Sequence, residues 1–109
     1  MIALRQIKKI TNRIGREFHP DRIILFGSYA HGKPGKDSDV DLMVIMPFKG
    51  RPVKKSVEIR LKTRPPFPMD LLIRTQSMIN KRIAMGDSFT RDILRKGKVL
   101  YESHNQGMG

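Results

Sequence analysis

Two aspartates one residue apart, Asp39 and Asp41, open an apolar run through Val40, Leu42, Met43, Val44 and Ile45. That run is expected to be a strand over residues 39–46, stopped by Pro47. Side chains two apart on a strand leave the same face, with Cα atoms about 6.7 Å apart. Carboxylates held that close repel one another unless a cation lies between them. Oxygen ligands on a rigid strand suit Mg²⁺, which is commonly held by one or two carboxylates plus substrate phosphates. Upstream, Arg22-Ile23-Ile24-Leu25-Phe26 runs into Gly27-Ser28. Glycine lets a phosphate approach the backbone, and the following amides with the Ser28 hydroxyl can donate hydrogen bonds to it. A phosphate cradle and a carboxylate pair at the ends of two strands are the equipment of phosphoryl transfer. Two-metal sites need ligands from more than one element. Asp70 is the candidate third carboxylate, because an unpaired charge within Met69-Asp70-Leu71-Leu72-Ile73 would be costly.

The elements that must carry these residues follow from hydrophobic spacing. Ile2, Leu4, Ile7, Ile10, Ile14 and Phe18 recur at close to helical intervals, with Arg5, Lys8, Lys9, Arg13 and Arg16 largely opposite. His19-Pro20-Asp21 should end that helix, since proline disfavours the helical conformation of its predecessor. Arg22 to Phe26 reads as a buried strand, and residues 31–38 as a loop. Pro52 to Thr63 is expected to be helical, with Val53, Val57 and Leu61 stacked on one face. Met69 to Arg74 is a third strand. Thr75 to Met85 and Ser88 to Lys96 are short helices with Gly86 and Gly97 as C-terminal caps. Lys98 to Tyr101 adds an edge strand, and residues 102–109 are expected to be a disordered tail. The predicted fold is α/β (α+β), a small mixed sheet flanked by helices in one domain over residues 1–101.

Composition narrows the chemistry. The 109 residues hold 22 Lys plus Arg against 10 Asp plus Glu, for a net charge of +12. That excess predicts attraction to polyanions such as nucleotide, nucleic acid or an acidic protein face. With no cysteine, thiolate metal sites and thiol nucleophiles are excluded. No apolar run reaches the length of a bilayer span, and Met1-Ile2-Ala3-Leu4-Arg5 turns basic at once. A cytoplasmic protein with no membrane partner is expected.

Two other phosphate and metal motifs fail on single positions. Gly27 to Lys33 fits seven places of a P-loop, but the eighth, which must be Ser or Thr, is Pro34. Asp37, Asp39 and Asp41 imitate half an EF-hand loop, yet the glycine position is Leu42 and the glutamate position is Phe48. His19, His31 and His104 have no partner at ligand spacing, and the seven Met residues suit a core better than a binding surface.

The pattern resembles a minimal nucleotidyltransferase of the DNA polymerase β superfamily. That family's motif is a hydrophobic strand, Gly-Ser, a short helix and loop, Asp-x-Asp among hydrophobic residues, and a later lone Asp on a strand. These fall on Ile23 to Phe26, Gly27-Ser28, Asp39-Val40-Asp41 and Asp70. Gly32, Ser38 and the stretch Phe89 to Tyr101 extend the likeness over most of the chain. His31 departs from it, standing where such proteins often carry arginine.

The resemblance implies a polymerase-β-like core and transfer of a nucleoside monophosphate, AMP from ATP first among them, to a hydroxyl. It implies that Asp39, Asp41 and Asp70 bind two Mg²⁺ ions, with Asp70 nearer the acceptor and able to take its proton. Gly27, Ser28 and Ser38 would bind the nucleotide. Minimal members resemble the antitoxin half of a toxin–antitoxin pair, whose partner is a helical HEPN-domain toxin that can be adenylylated. Transfer to a small hydroxyl compound such as an aminoglycoside, or a non-catalytic neutralising or nucleic-acid-binding module, are the alternatives.

Overall fold

The computed structural model describes residues 1–103; the part of the expected tail from residue 104 onward lies outside them. Four helices and four strands follow in the order α1 (Leu4–Phe18), β1 (Arg22–Phe26), β2 (Val40–Ile45), α2 (Pro52–Thr63), β3 (Met69–Arg74), α3 (Gln76–Ala84), α4 (Ser88–Lys96) and β4 (Lys98–Glu102). The strands form one mixed sheet in the order β3-β2-β1-β4. β1 is antiparallel to both β2 and β4, whereas β2 and β3 are parallel and joined through α2.

Strand alternation divides the core in two. Ile23 and Leu25 of β1, Val40, Leu42 and Val44 of β2, and Met69, Leu71 and Ile73 of β3 pack beneath Ile7, Ile10 and Ile14 of α1 and Ile59 of α2. The intervening residues, Ile24, Met43 and Ile45, meet Ile79 of α3 and Ile93 of α4 on the other face. Each fully buried Ile, Leu or Met contributes roughly 1.5–3 kcal/mol relative to exposure. This two-faced burial explains why β1 and β2 read as near-continuous apolar runs.

The element boundaries agree with the sequence reading to within one residue, and three local details change. Val53, Val57 and Leu61 do lie on one face of α2, but it is the outer one: Val53 is 73% exposed and Leu61 70%. The buried positions of that helix are Ile59 and Thr63, whose hydroxyl donates to the Ile59 carbonyl. A weakly amphipathic helix offered two candidate faces, and only its neighbours choose between them. Gly86 has the left-handed φ of +81° that a helix cap favours. Gly97 does cap α4, its N–H donating to the Ile93 carbonyl at 2.9 Å, but in an extended conformation (φ −72°, ψ 165°), and a side chain there would run into Ile24 and the backbone of Ile93 and Leu25. Its glycine serves close approach of α4 to β1. Finally, β4 continues through Glu102, opposite Arg22, and Ser103 N–H donates to the Asp21 carbonyl, so the start of the expected tail is tied to the sheet.

Of the methionines, Met43, Met46 and Met69 are core residues, whereas Met1 and Met85 are exposed. Among the described residues, no helix is long and apolar enough to cross a membrane.

Candidate active site

The ends of β1, β2 and β3 nearest the 27–39 connection meet at one edge of the sheet, on the face covered by α3 and α4. In register, Asp41 of β2 lies opposite Phe26 of β1 on one side and Asp70 of β3 on the other. Paired residues on adjacent strands project to the same face, with strands about 4.8 Å apart. Phe26, Asp41 and Asp70 therefore form a row across the sheet. Asp39 lies just ahead of β2, because the strand begins at Val40 rather than at residue 39. Its carboxylate still acts electrostatically on Asp41. The alternation argument for Asp39 and Asp41 thus gave the right neighbourhood through a strand that starts one residue later.

Asp41 is half-buried, and burial pushes its carboxyl above the ordinary value of 3.8; the charges of Asp70 and then Asp39 push it the same way. None of the ion pairs among the described residues involves Asp41 or Asp39. Three carboxylates whose charges bear on one of them, with no cation against the central one, form an oxygen donor set suited to a hard divalent ion. Among the described residues, no three Asp, Glu or His side chains converge tightly enough to hold an ion unaided. Phosphate oxygens would have to complete the shell, which is how Mg²⁺ is usually held.

Gly27 is demanded by the same carboxylate. Its φ is +76°, and a Cβ there would collide with Asp41 Oδ2. The backbone of the turn thus lies directly against the central acid. Beyond it the chain makes a helical turn: the Gly27 carbonyl accepts from Ala30 N–H (3.0 Å) and His31 N–H (3.3 Å), and the Ser28 carbonyl from Lys33 N–H (3.1 Å). Ser28 sits at the start of this turn, partly buried. Ser38 is placed differently. Its hydroxyl accepts a hydrogen bond from Gly35 N–H at 2.8 Å and closes the loop on itself, leaving its O–H free only to donate.

Asp70 is 72% exposed at its side chain, so the burial argument made for it does not apply. Its registration beside Asp41 is what places it in the site. Arg60 of α2 reaches it from the far side of β3, 3.8 Å from Oδ1. No sequence spacing links Arg60 to Asp70; the crossover of α2 onto β3 does.

The family model "Polymerase beta, Nucleotidyltransferase" matches residues 8–106. The chain belongs to this family. The polymerase β nucleotidyltransferase fold and a nucleotidyltransferase activity follow from that membership. "Putative protein adenylyltransferase MJ0604" of Methanocaldococcus jannaschii is 28% identical over 100 residues, covering 89% of this chain and 96% of its own. Two crystal structures share the fold at low identity. One, a toxin–antitoxin with AMP-PNP, has a TM-score of 0.59 at 18% identity and covers 93% of this chain and 77% of its own. The other, the toxin–antitoxin MntA-HpeT, has a TM-score of 0.59 at 17% identity over the same shares. In this chain Gly27 and Asp70 lie beside Asp41, Asp39 acts on it electrostatically, Ser28 follows Gly27, and Ser38 lies on the loop before Asp39.

Proposed function

We propose that this nucleotidyltransferase transfers AMP from ATP to a hydroxyl of a partner protein, a helical HEPN-type toxin, and so acts as the antitoxin of the pair. The observation that carries the catalytic part is the registration of Asp41 beside Asp70, with the Gly27 backbone against the Asp41 carboxylate. The acceptor class rests on the protein adenylyltransferase name of a relative that matches nearly end to end, and on the toxin–antitoxin structures that share the fold. With +12 of net charge, encounter with an acidic partner face would be fast and salt-sensitive.

Asp39, Asp41 and Asp70 would hold Mg²⁺ together with phosphate oxygens of the nucleotide. When bound, the ions neutralise phosphate charge and stabilise the attacking and leaving oxygens. The chain's own residues do the rest. The bare Gly27 backbone admits the phosphates, and the Ser28 hydroxyl with the Ser28 and Tyr29 amides at the start of the turn donates hydrogen bonds to them. Ser38 donates its remaining O–H from the loop. Asp70, exposed on the outermost strand, faces the arriving acceptor and takes its proton as the acceptor oxygen bonds to the α-phosphorus. The bond from that phosphorus to the β-phosphate oxygen breaks, and pyrophosphate leaves with the electron pair.

The test is label transfer from ATP marked at the α-phosphate, with Mg²⁺, to the protein encoded by the neighbouring gene, expected to be of HEPN type. Intact-mass spectrometry should show added AMP on that protein, and chelation should stop the reaction. Labelling of a small hydroxyl compound in place of the protein would remove the antitoxin role.

A further inference from the structure

Beyond Phe26, on the side of Asp41 away from Asp70, the sheet and α4 line an open-sided cavity of about 230 Å³. Phe26, Gly27, His31, Phe89, Asp92 and Lys96 are on its walls. Phe26 and Phe89 meet edge to face, with ring centroids 5.9 Å apart and planes at 83°. Phe89 thus packs against Phe26 while 55% of it stays exposed. It stands on the first turn of α4, and Asp92 and Lys96 follow at i+3 and i+7, on the same flank. Asp92 and Lys96 are themselves at ion-pair spacing, yet none of the ion pairs among the described residues joins them.

We infer that this cavity seats the base of the donor nucleotide, stacked on Phe89 with its polar edge toward Asp92. The inference rests on the reading of Asp39, Asp41 and Asp70 as the phosphate end of the site. Size favours one ring system: cavities for whole drug-sized ligands are about 300–1,000 Å³, and this one is smaller. Position favours the same nucleotide, since Phe26 is the direct cross-strand neighbour of Asp41 and Gly27 is common to the turn and the cavity. Chemistry favours the base over a phosphate. A half-exposed aromatic ring is a stacking platform for any base, which a phosphate cannot use, and Asp92 can accept a hydrogen bond from an amino group while Lys96 on the same wall donates to a ring nitrogen or carbonyl.

The probes are ATP and inorganic tripolyphosphate, which shares the phosphate chain and lacks the base. Calorimetric titration of the whole protein with Mg²⁺ should show Phe89→Ala weakening ATP by about ten-fold, the scale of one lost base stack, with tripolyphosphate unchanged. Phe89→Tyr keeps the ring and should keep the ATP affinity, and thermal melts establish that both variants fold. Unaltered ATP binding by folded Phe89→Ala overturns the inference. So does equal weakening of both ligands, which would put phosphate in the cavity. Wild-type protein that binds tripolyphosphate as tightly as ATP overturns the base site and leaves the phosphate reading standing. Wild-type protein that binds neither overturns both.

Discussion

The sheet's two faces are built from the same three strands and come out differently. Under α1 and α2, fifteen buried residues close a continuous apolar layer. Under α3 and α4 only five do so, and the layer stops short of the sheet edge, where Phe26, Asp41 and Asp70 take over. In β2, Val40, Leu42 and Val44 serve the first face, while Asp41, Met43 and Ile45 serve the second. One face holds the fold together so that the first position of the other can bear mutually repelling charge. With the proposed site, strand parity separates catalytic function from stability, and each is expected to be perturbed without the other.

The sharpest break of that separation is Asp41→Asn. Transfer should fall by roughly 10²-fold or more, the scale for losing one preorganised electrostatic contact, measured by α-phosphate label transfer. Burial and two like charges raise the Asp41 pKa, so its ionisation opposes folding as pH rises through the raised value. The metal-free variant should therefore melt at the same temperature as wild type near neutral pH, or higher. A lower melting point would show that Asp41 serves the fold.

On the opposite face, Ile14→Ala should cost about 2–5 kcal/mol in denaturant unfolding, since Ile14 is fully buried. Transfer per folded molecule should be unchanged. The helices of the catalytic face depend on local caps. Thr75 Oγ1 accepts from Met78 N–H at the start of α3, and Thr75→Ala should cost about 1 kcal/mol.

Asp87 caps α4, accepting from Phe89 N–H and Thr90 Oγ1, and the Thr90 hydrogen bond leads the causes that lower its pKa. Its contribution is full above 3.8 and lost as pH falls through the lower folded value. The melting-point gap between wild type and Asp87→Ala should accordingly narrow as the buffer is taken below 3.8. The smallest effect is expected at Leu61→Ser, on the exposed flank of α2, within about 0.5 kcal/mol. A large loss there would mean that this face is covered in the working molecule.

Much of the fold was legible because its signals are local. Apolar runs, proline and glycine boundaries and the α1 periodicity need no knowledge of distant residues. The outward turn of Val53 and Leu61 was not legible, because α2 is only weakly amphipathic and α1 and β3 decide which side it buries. Gly97 was legible as the cap of α4, but the close approach to Ile24 that leaves no room for a side chain there belongs to another element and was not. In the site, Gly27 and the aspartates were legible from residue type and spacing. The involvement of Arg60 and Phe89 was not, since neither has a sequence relation to Asp70 or Phe26.

The sequence by itself determined the candidates: the carboxylates and the glycine turn proposed for the site, and the strands that end beside them. Those depend on residue type and on the two-residue repeat of a strand, both written along the chain. Tertiary structure alone decided that Asp70 stands next to Asp41, that Phe26 stands on its other side, and that Phe89 lines a cavity there. Register between strands and the docking of a helix are set by how whole faces pack, and no local pattern carries that information.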